Sequence, residues 1–263
     1  KYKTDYLNVC SFKLYADGAL GSRGACLIES YSDKQDHKGF LLRSQEELKE
    51  ATREIFNSDF QLNTHCIGDS ANRIMLNLYG KYLDESNDRR WRIEHAQVVH
   101  PDDFGLFGKY NVLPSVQTTH ATSDMYWADE RLGSERIKGA YAYQELLKQN
   151  GMIANGSDFP IENINPLYGF YAGVARKDHK GFPENGFRSE NSFTREQALK
   201  AMTIWAAYVN FEDHEKGSIE EGKLADFVIL EDDIMEMDES NIPLAKVLAT
   251  YINGVKVYNV NDF

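Results

Sequence analysis

The sequence predicts an α/β fold of parallel βα units followed by a small β appendage. Three observations predict it. Short β-like runs alternate with amphipathic helical stretches from residue 7 to about 177. Beyond residue 210 the texture changes to short strands and tight turns. The 263 residues are 42% hydrophobic, enough for one large domain, or one domain plus a small appendage.

The elements follow in order. The first strand is read in "LNVCSFKLYADG", with a helix over 45–57. The second is "DFQLNTHCIGD", in which Asp69 is taken as the N-cap of a helix over 69–84. "RWRIEHAQ" is the third, before a helix over 101–109 opened by Pro101. "NVLPSVQTT" precedes a helix over 136–150, and "GMIANGSDFP" one over 166–176. In "FTREQALKAMTIWAA", Thr194 at the N-cap and Gln197 three residues on form a capping box, and this helix is expected to reach Tyr208. The tail, "GSIEEGKLADFVILEDD" and "LAKVLATYINGVKVYNV", reads as short strands with a type I′ turn at Asn253-Gly254. Residues 1–210 are therefore expected to form the βα domain and 211–263 the β segment.

A complete (β/α)₈ barrel takes about 250 residues. Here only five βα units are legible, so three are missing from that architecture. An open sheet with two apolar parallel edges must be covered, by a further segment or by a second copy in a homo-oligomer. The chain also begins "KYKTDYLNVC", without an initiator methionine, so an upstream part is expected.

The net charge of -12 leaves no basic surface for nucleic acid or anionic lipid. No apolar run approaches the roughly 20 residues of a membrane helix. Cys10, Cys26 and Cys66 are odd in number, widely spaced and free of any CxxC pattern, which argues for reduced thiols and favours a cytoplasmic setting. Localisation itself is not set by the visible chain.

The residues that suggest chemistry stand at strand ends. His65 closes "FQLNT", where a parallel strand delivers residues to the ligand-facing rim. A lone histidine there is also compatible with a buried ring satisfied by one hydrogen bond. His95 closes the next strand, and neighbouring strands lie about 4.8 Å apart, so two imidazoles are expected within reach of one cation. Asp158, after small residues and before a proline-fixed turn, reads as a metal ligand or proton acceptor, or else as an Asx turn or helix cap. Lys13, between Phe12 and Leu14, either points into a polar interior or snorkels outward. His120 is placed to touch a substrate oxygen or to support another ligand. His37, His100, His179 and His214 lie in polar loop-like contexts and receive no role.

"KLYADGALGSRGA", "THCIGDSA", "RIEHAQVVHPDD", "SVQTTHATSD", "GSDFPIENINPL", "FTREQALKAMTIWAA" and "GSIEEGKLADFVIL", in that order, resemble the metal-dependent amidohydrolase superfamily. The resemblance covers nearly the whole chain. It is to the branch of N-substituted formamide deformylases and the family named for an exoenzyme-regulatory protein. It implies a TIM-barrel (β/α)₈ fold of which strands 4–8 are present, and a β-sandwich to which residues 211–263 contribute. It also implies a divalent metal centre, zinc being expected, with one or two ions in the intact enzyme; iron, manganese and nickel suit the same ligands. On this match Lys13, as a carboxylated lysine, His65, His95 and Asp158 are metal ligands. Asp158 is also the general acid/base, and His120 assists the carbonyl or oxyanion.

The implied reaction is hydrolysis of a non-peptide, amide-type C–N bond of a small-molecule substrate by metal-activated water. These relatives carry a His-x-His pair on strand 1, and no His-x-His occurs in this chain. It therefore resembles a C-terminal portion that is inactive alone. A non-catalytic regulatory or ligand-binding relative is the alternative.

Overall fold

The computed structural model describes residues 1–262. Phe263, the end of the expected β segment, lies outside the described residues. A short hairpin of β1 (Tyr2–Lys3) and β2 (Asn8–Val9) comes first. A five-stranded sheet follows: β3 (Ser11–Tyr15), β4 (Gln61–Cys66), β5 (Arg92–His95), β6 (Leu113–Val116) and β7 (Ala154–Asn155). Strands β3 to β6 pair in parallel. The strands neighbour one another in chain order, without the reversal of a doubly wound sheet, an order compatible with part of a singly wound barrel.

Register explains which face does what. Lys13, Asn63 and Arg92 are aligned across three strands, and Tyr15, His65 and Glu94 are aligned two residues further on. That face is polar: Arg92 Nε donates to Glu94 Oε1 at 2.8 Å and its second nitrogen to Gln61 Oε1 at 3.1 Å. The opposite parity, with Leu62, Thr64 and Ile93 fully buried, carries the core. Helices α1 (Gln45–Phe56) and α2 (Asp69–Tyr79) pack there on β4. The hydroxyls of Thr64 and Tyr79 meet at 2.8 Å, and Tyr79 and Trp91 make an edge contact with centroids 4.9 Å apart. Each fully buried apolar side chain contributes about 1.5–3 kcal/mol, so this face anchors the strand ends.

The helices along the chain depart from expectation at identifiable points. The cap of α2 is Gly68, and Asp69 is the first helical residue, its Oδ1 accepting from the Ile28 and Ser70 amides. Helix α2 stops at Gly80, ahead of the expected 84. After a 3₁₀ turn at Pro101–Asp103 comes α3 (Phe104–Lys109). The loop after β6 is helical, as α4 (Thr118–Asp124) and α5 (Ala128–Arg136). The helix expected over 136–150 is broken: α6 spans Tyr143–Asn150 only. The break lies at Tyr141, whose φ is +51°, and whose buried hydroxyl donates to Asp124 at 2.7 Å and accepts from Gln97 at 3.0 Å. Burying that phenol with two partners outweighs continuing the helix.

Helix α7 is Pro166–Ala175. The capping box of Thr194 and Gln197 is present, but its helix ends at Met202 as α8 (Arg195–Met202). A separate α9 (Ile204–Val209) begins after Thr203, whose φ/ψ of -127/-98° are non-helical. The tail strands β8 (Phe227–Leu230), β9 (Val247–Ile252) and β10 (Val255–Asn259) form an antiparallel sheet in the order β10-β9-β8. Both turn residues of the last hairpin have positive φ, Asn253 at 49° and Gly254 at 76°, as the type I′ turn requires.

The chain divides into two compact units, Lys1–Val116 with Ser123–Ala154, and Gln117–Thr122 with Asn155–Phe263. No helix among the described residues is long and apolar enough to cross a membrane. None of the three cysteines forms a disulfide.

Candidate functional site

In the first unit the candidate residues gather where β3, β4 and β5 end. His65 shares its face with Tyr15, their rings 5.1 Å apart, and the exposed Lys13 Nζ stands 5.3 Å from the Tyr15 ring. His95 is paired in register with Cys66, so regular alternation would send its ring to the face opposite His65. It does not go there. His95 takes φ +74° and Ala96 φ +42°, and the two imidazoles meet edge to face with centroids 4.4 Å apart. A non-glycine residue in this region costs about 1–3 kcal/mol, a strain that persists only where the surroundings impose it. The two rings are close enough for both to coordinate one ion at about 2.0–2.1 Å, so the donor set fits a divalent metal.

The surrounding charges are organised. Burial works to raise the Glu94 carboxyl, but the Arg92 guanidinium, then the Lys13 ammonium and a hydrogen bond from Ser115, outweigh it and hold the group below the usual carboxylate range. Asp17, which sequence reasoning did not single out, is fully buried. Its two oxygens accept from the amides of Cys26 at 2.8 Å, Ile67 at 3.0 Å and Gly68 at 2.8 Å, and Oδ1 lies 3.7 Å from His65 Nε2. Burial pushes its carboxyl up to about 7, against the pull of those amides. Asn72 clamps the same rim, donating to the carbonyls of Cys66, Gly68 and Val98. The small residues of "YADG" were the available signal for Asp17: they let a strand-end carboxylate sit deep against backbone.

Tyr126, Trp127 and Arg136 lie in the loop region after β6. Arg136 spends its guanidinium on the carbonyls of Leu132, Glu29 and Ser30. The ring of Trp127 packs against Gly21, where a Cβ would lie 3.1 Å from it. These two staple loops together, while Tyr126 is exposed.

In the second unit His120 sits in the first turn of α4, buried. Thr118 fastens that turn: its amide donates to Asn155 Oδ1 at 3.0 Å and its hydroxyl to the Gly169 carbonyl at 2.5 Å. His120 Nδ1 is 2.9 Å from Glu162 Oε1, and Nε2 is 3.9 Å from Asp158 Oδ2. Asp158 is exposed and has φ +52°. Glu162 was not anticipated; its position four residues after Asp158 in "GSDFPIE" is the only sequence cue.

Residues 1–258 match the model of the amidohydrolase family. The chain is similar to Protein LONG AFTER FAR-RED 3 of Arabidopsis thaliana, 38% identical over 262 residues, covering 97% of this chain and 44% of that protein. It is 25% identical over 255 residues to N-substituted formamide deformylase of Arthrobacter pascens, covering 94% of this chain and 45% of that one. Among solved structures it resembles an uncharacterized metal-dependent hydrolase from Pyrococcus horikoshii OT3, with a TM-score of 0.78 and 30% identity over 88% of this chain and 46% of that one. The chain thus spans less than half the length of these relatives.

Proposed function

The chain belongs to the amidohydrolase family, and on that premise we propose that it serves a metal-dependent hydrolase acting on a non-peptide, amide-type C–N bond of a small molecule. The strand order and the family match support a (β/α)₈ barrel, of which these strands would be the fourth to eighth. The reading further takes this chain as one part of a longer enzyme, whose His-x-His pair lies outside these 263 residues.

His65 and His95 would hold the ion, expected to be zinc, with Lys13 in carboxylated form and Asp158 as further ligands. When bound, the ion supplies Lewis acidity, polarising the carbonyl and making water nucleophilic near neutral pH. Asp158 takes a proton from the attacking water and delivers it to the leaving nitrogen, the general acid/base role. His120 donates a hydrogen bond to the oxygen on which charge develops. Arg92 and Glu94 pair at 2.8 Å beside His65, each offsetting the other's charge on the polar face. The choice of a C–N bond is supported by the name of the deformylase relative.

The observation that carries the reading is the His65–His95 contact, held by a left-handed His95. The test is elemental analysis of the full-length protein, together with turnover of a panel of N-substituted formamides. One or two divalent ions per chain, and turnover, are expected, both lost in the His65→Ala/His95→Ala double variant. Retention of either by that variant overturns the reading.

A further inference from the structure

We propose that a cavity of about 290 Å³ in the second unit binds a small aromatic carboxylate, held by the Tyr171 hydroxyl and the Lys180 ammonium. The cavity shares no residue with the clusters described above, so this reading does not rest on the hydrolase one. Its volume is at the small end of ligand pockets, which run from about 300 to 1,000 Å³, and suits a ligand of one or two rings.

Two walls enclose it. Tyr168 and Tyr171, three residues apart on α7, share a helix face, and the His179 imidazole lies against Tyr168 with ring centroids 4.0 Å apart. The other wall is Pro243 and Leu244, from the 3₁₀ segment Glu239–Leu244. Leu244 is 74% exposed, an apolar side chain without cover. Rings on one side and aliphatic carbon on the other suit a flat apolar body. The walls are tied together, Lys177 Nζ lying 3.8 Å from Glu239 Oε1. The loop that carries His179 and Lys180 is pinned as well, because Asp178 Oδ1 accepts from the amides of Lys180 at 2.8 Å and Phe182 at 3.0 Å.

The polar groups set the charge of the occupant. Tyr171 is 4% exposed and lines the cavity, yet its hydroxyl makes no hydrogen bond with any described residue. Buried hydroxyls are ordinarily partnered, so this one is left for whatever fills the cavity. Burial, then the charges of Glu239 and Asp178, push its phenol above the usual range, and it therefore stays protonated and donates. Lys180 is exposed, and its ammonium forms no ion pair among the described residues. Neither Glu239 nor Asp178 lines the cavity, and each is engaged, by Lys177 and by the two loop amides. Two donors, one of them cationic, beside a flat apolar slot match an aromatic carboxylate.

The test is calorimetric titration of the full-length protein with naphthoate, beside the uncharged naphthamide, while the His179 ring-proton resonances, assigned from His179→Gln, are followed by NMR. One-to-one binding of the carboxylate is expected, with ring-current shifts at His179 and the amide weaker by about tenfold or more. Tyr171→Phe keeps the buried ring and Lys180→Glu lies at an exposed position, so both variants fold. Each should weaken binding by about tenfold or more, the size expected of a lost hydrogen bond to a charged group. No saturable binding, an amide that binds as tightly, or an affinity that neither substitution moves overturns the proposal. Binding that leaves the His179 resonances in place overturns it too, since the ligand would then sit elsewhere. None of these readouts uses turnover, so failure of the hydrolase reading and failure of this one are separate results.

Discussion

Replacing Gly68 with alanine tests how the rim that carries His65 is held. Gly68 has φ -74° and ψ 152°, which any residue adopts, so its identity is a matter of space alone. A Cβ there would lie 2.0 Å from the Cys26 carbonyl oxygen, 2.5 Å from its carbon and 2.7 Å from its nitrogen. The first contact falls 1.4 Å short of the 3.4 Å at which ordinary van der Waals contact begins. These are backbone atoms, which cannot rotate away as a side chain would.

Moving either the Cys26 loop or the start of α2 breaks the Asp17 clamp, because Cys26 and Gly68 both donate to Asp17 Oδ2 at 2.8 Å. Overpacking costs about 1–3 kcal/mol, and a buried donor left unsatisfied about 1–3 kcal/mol more. The expected loss is roughly 2–6 kcal/mol, out of a total stability of about 5–15 kcal/mol. Gly105→Ala is the control: it lies within α3, nothing stands within 4 Å of its Cβ, and it should be neutral or gain up to about 1 kcal/mol. Urea unfolding followed by circular dichroism reads all three proteins. A Gly68→Ala protein within about 1 kcal/mol of wild type would refute the argument.

Two further outcomes follow from single groups. Asp17 has a folded pKa of about 7 against an ordinary 3.8, so between those values the folded state binds more protons and stability falls as pH rises. In chelator, unfolding free energy should drop by roughly 2–3 kcal/mol from pH 5 to pH 8, with Asp69, also raised by burial, acting in the same direction. Asp17→Asn should remove most of that slope; an unchanged slope in the variant would show that Asp17 does not titrate there. Thr194→Ala deletes the hydroxyl that accepts from the Gln197 amide at 3.1 Å, and should cost about 1 kcal/mol, a fall in Tm of about 2–4 °C by calorimetry. An unmoved Tm would mean that this cap contributes nothing.

Much of the fold was legible because the signals for it are local. The alternation in "SFKLY" and "QLNTH" marks strands whatever they pack against, and the Thr194–Gln197 box or the Asn253-Gly254 turn is complete within four residues. The same locality located His65 and His95 at adjacent strand ends. It could not bring their rings together, since their register assigns them opposite parities until the backbone turns left-handed at His95.

Helix ends were misjudged where a distant partner decided. Tyr141 breaks a helical stretch to reach Gln97, 44 residues away. Asp17 meets the Gly68 amide across 51 residues and Glu162 meets His120 across 42, so neither role exists until the chain has closed those loops. The sequence by itself determined the order of the βα units and the residue types at their ends, because periodicity and turn chemistry act over a few neighbours. Only the tertiary structure decided which carboxylates face those histidines, because a buried hydrogen bond is specified by packing and not by spacing along the chain.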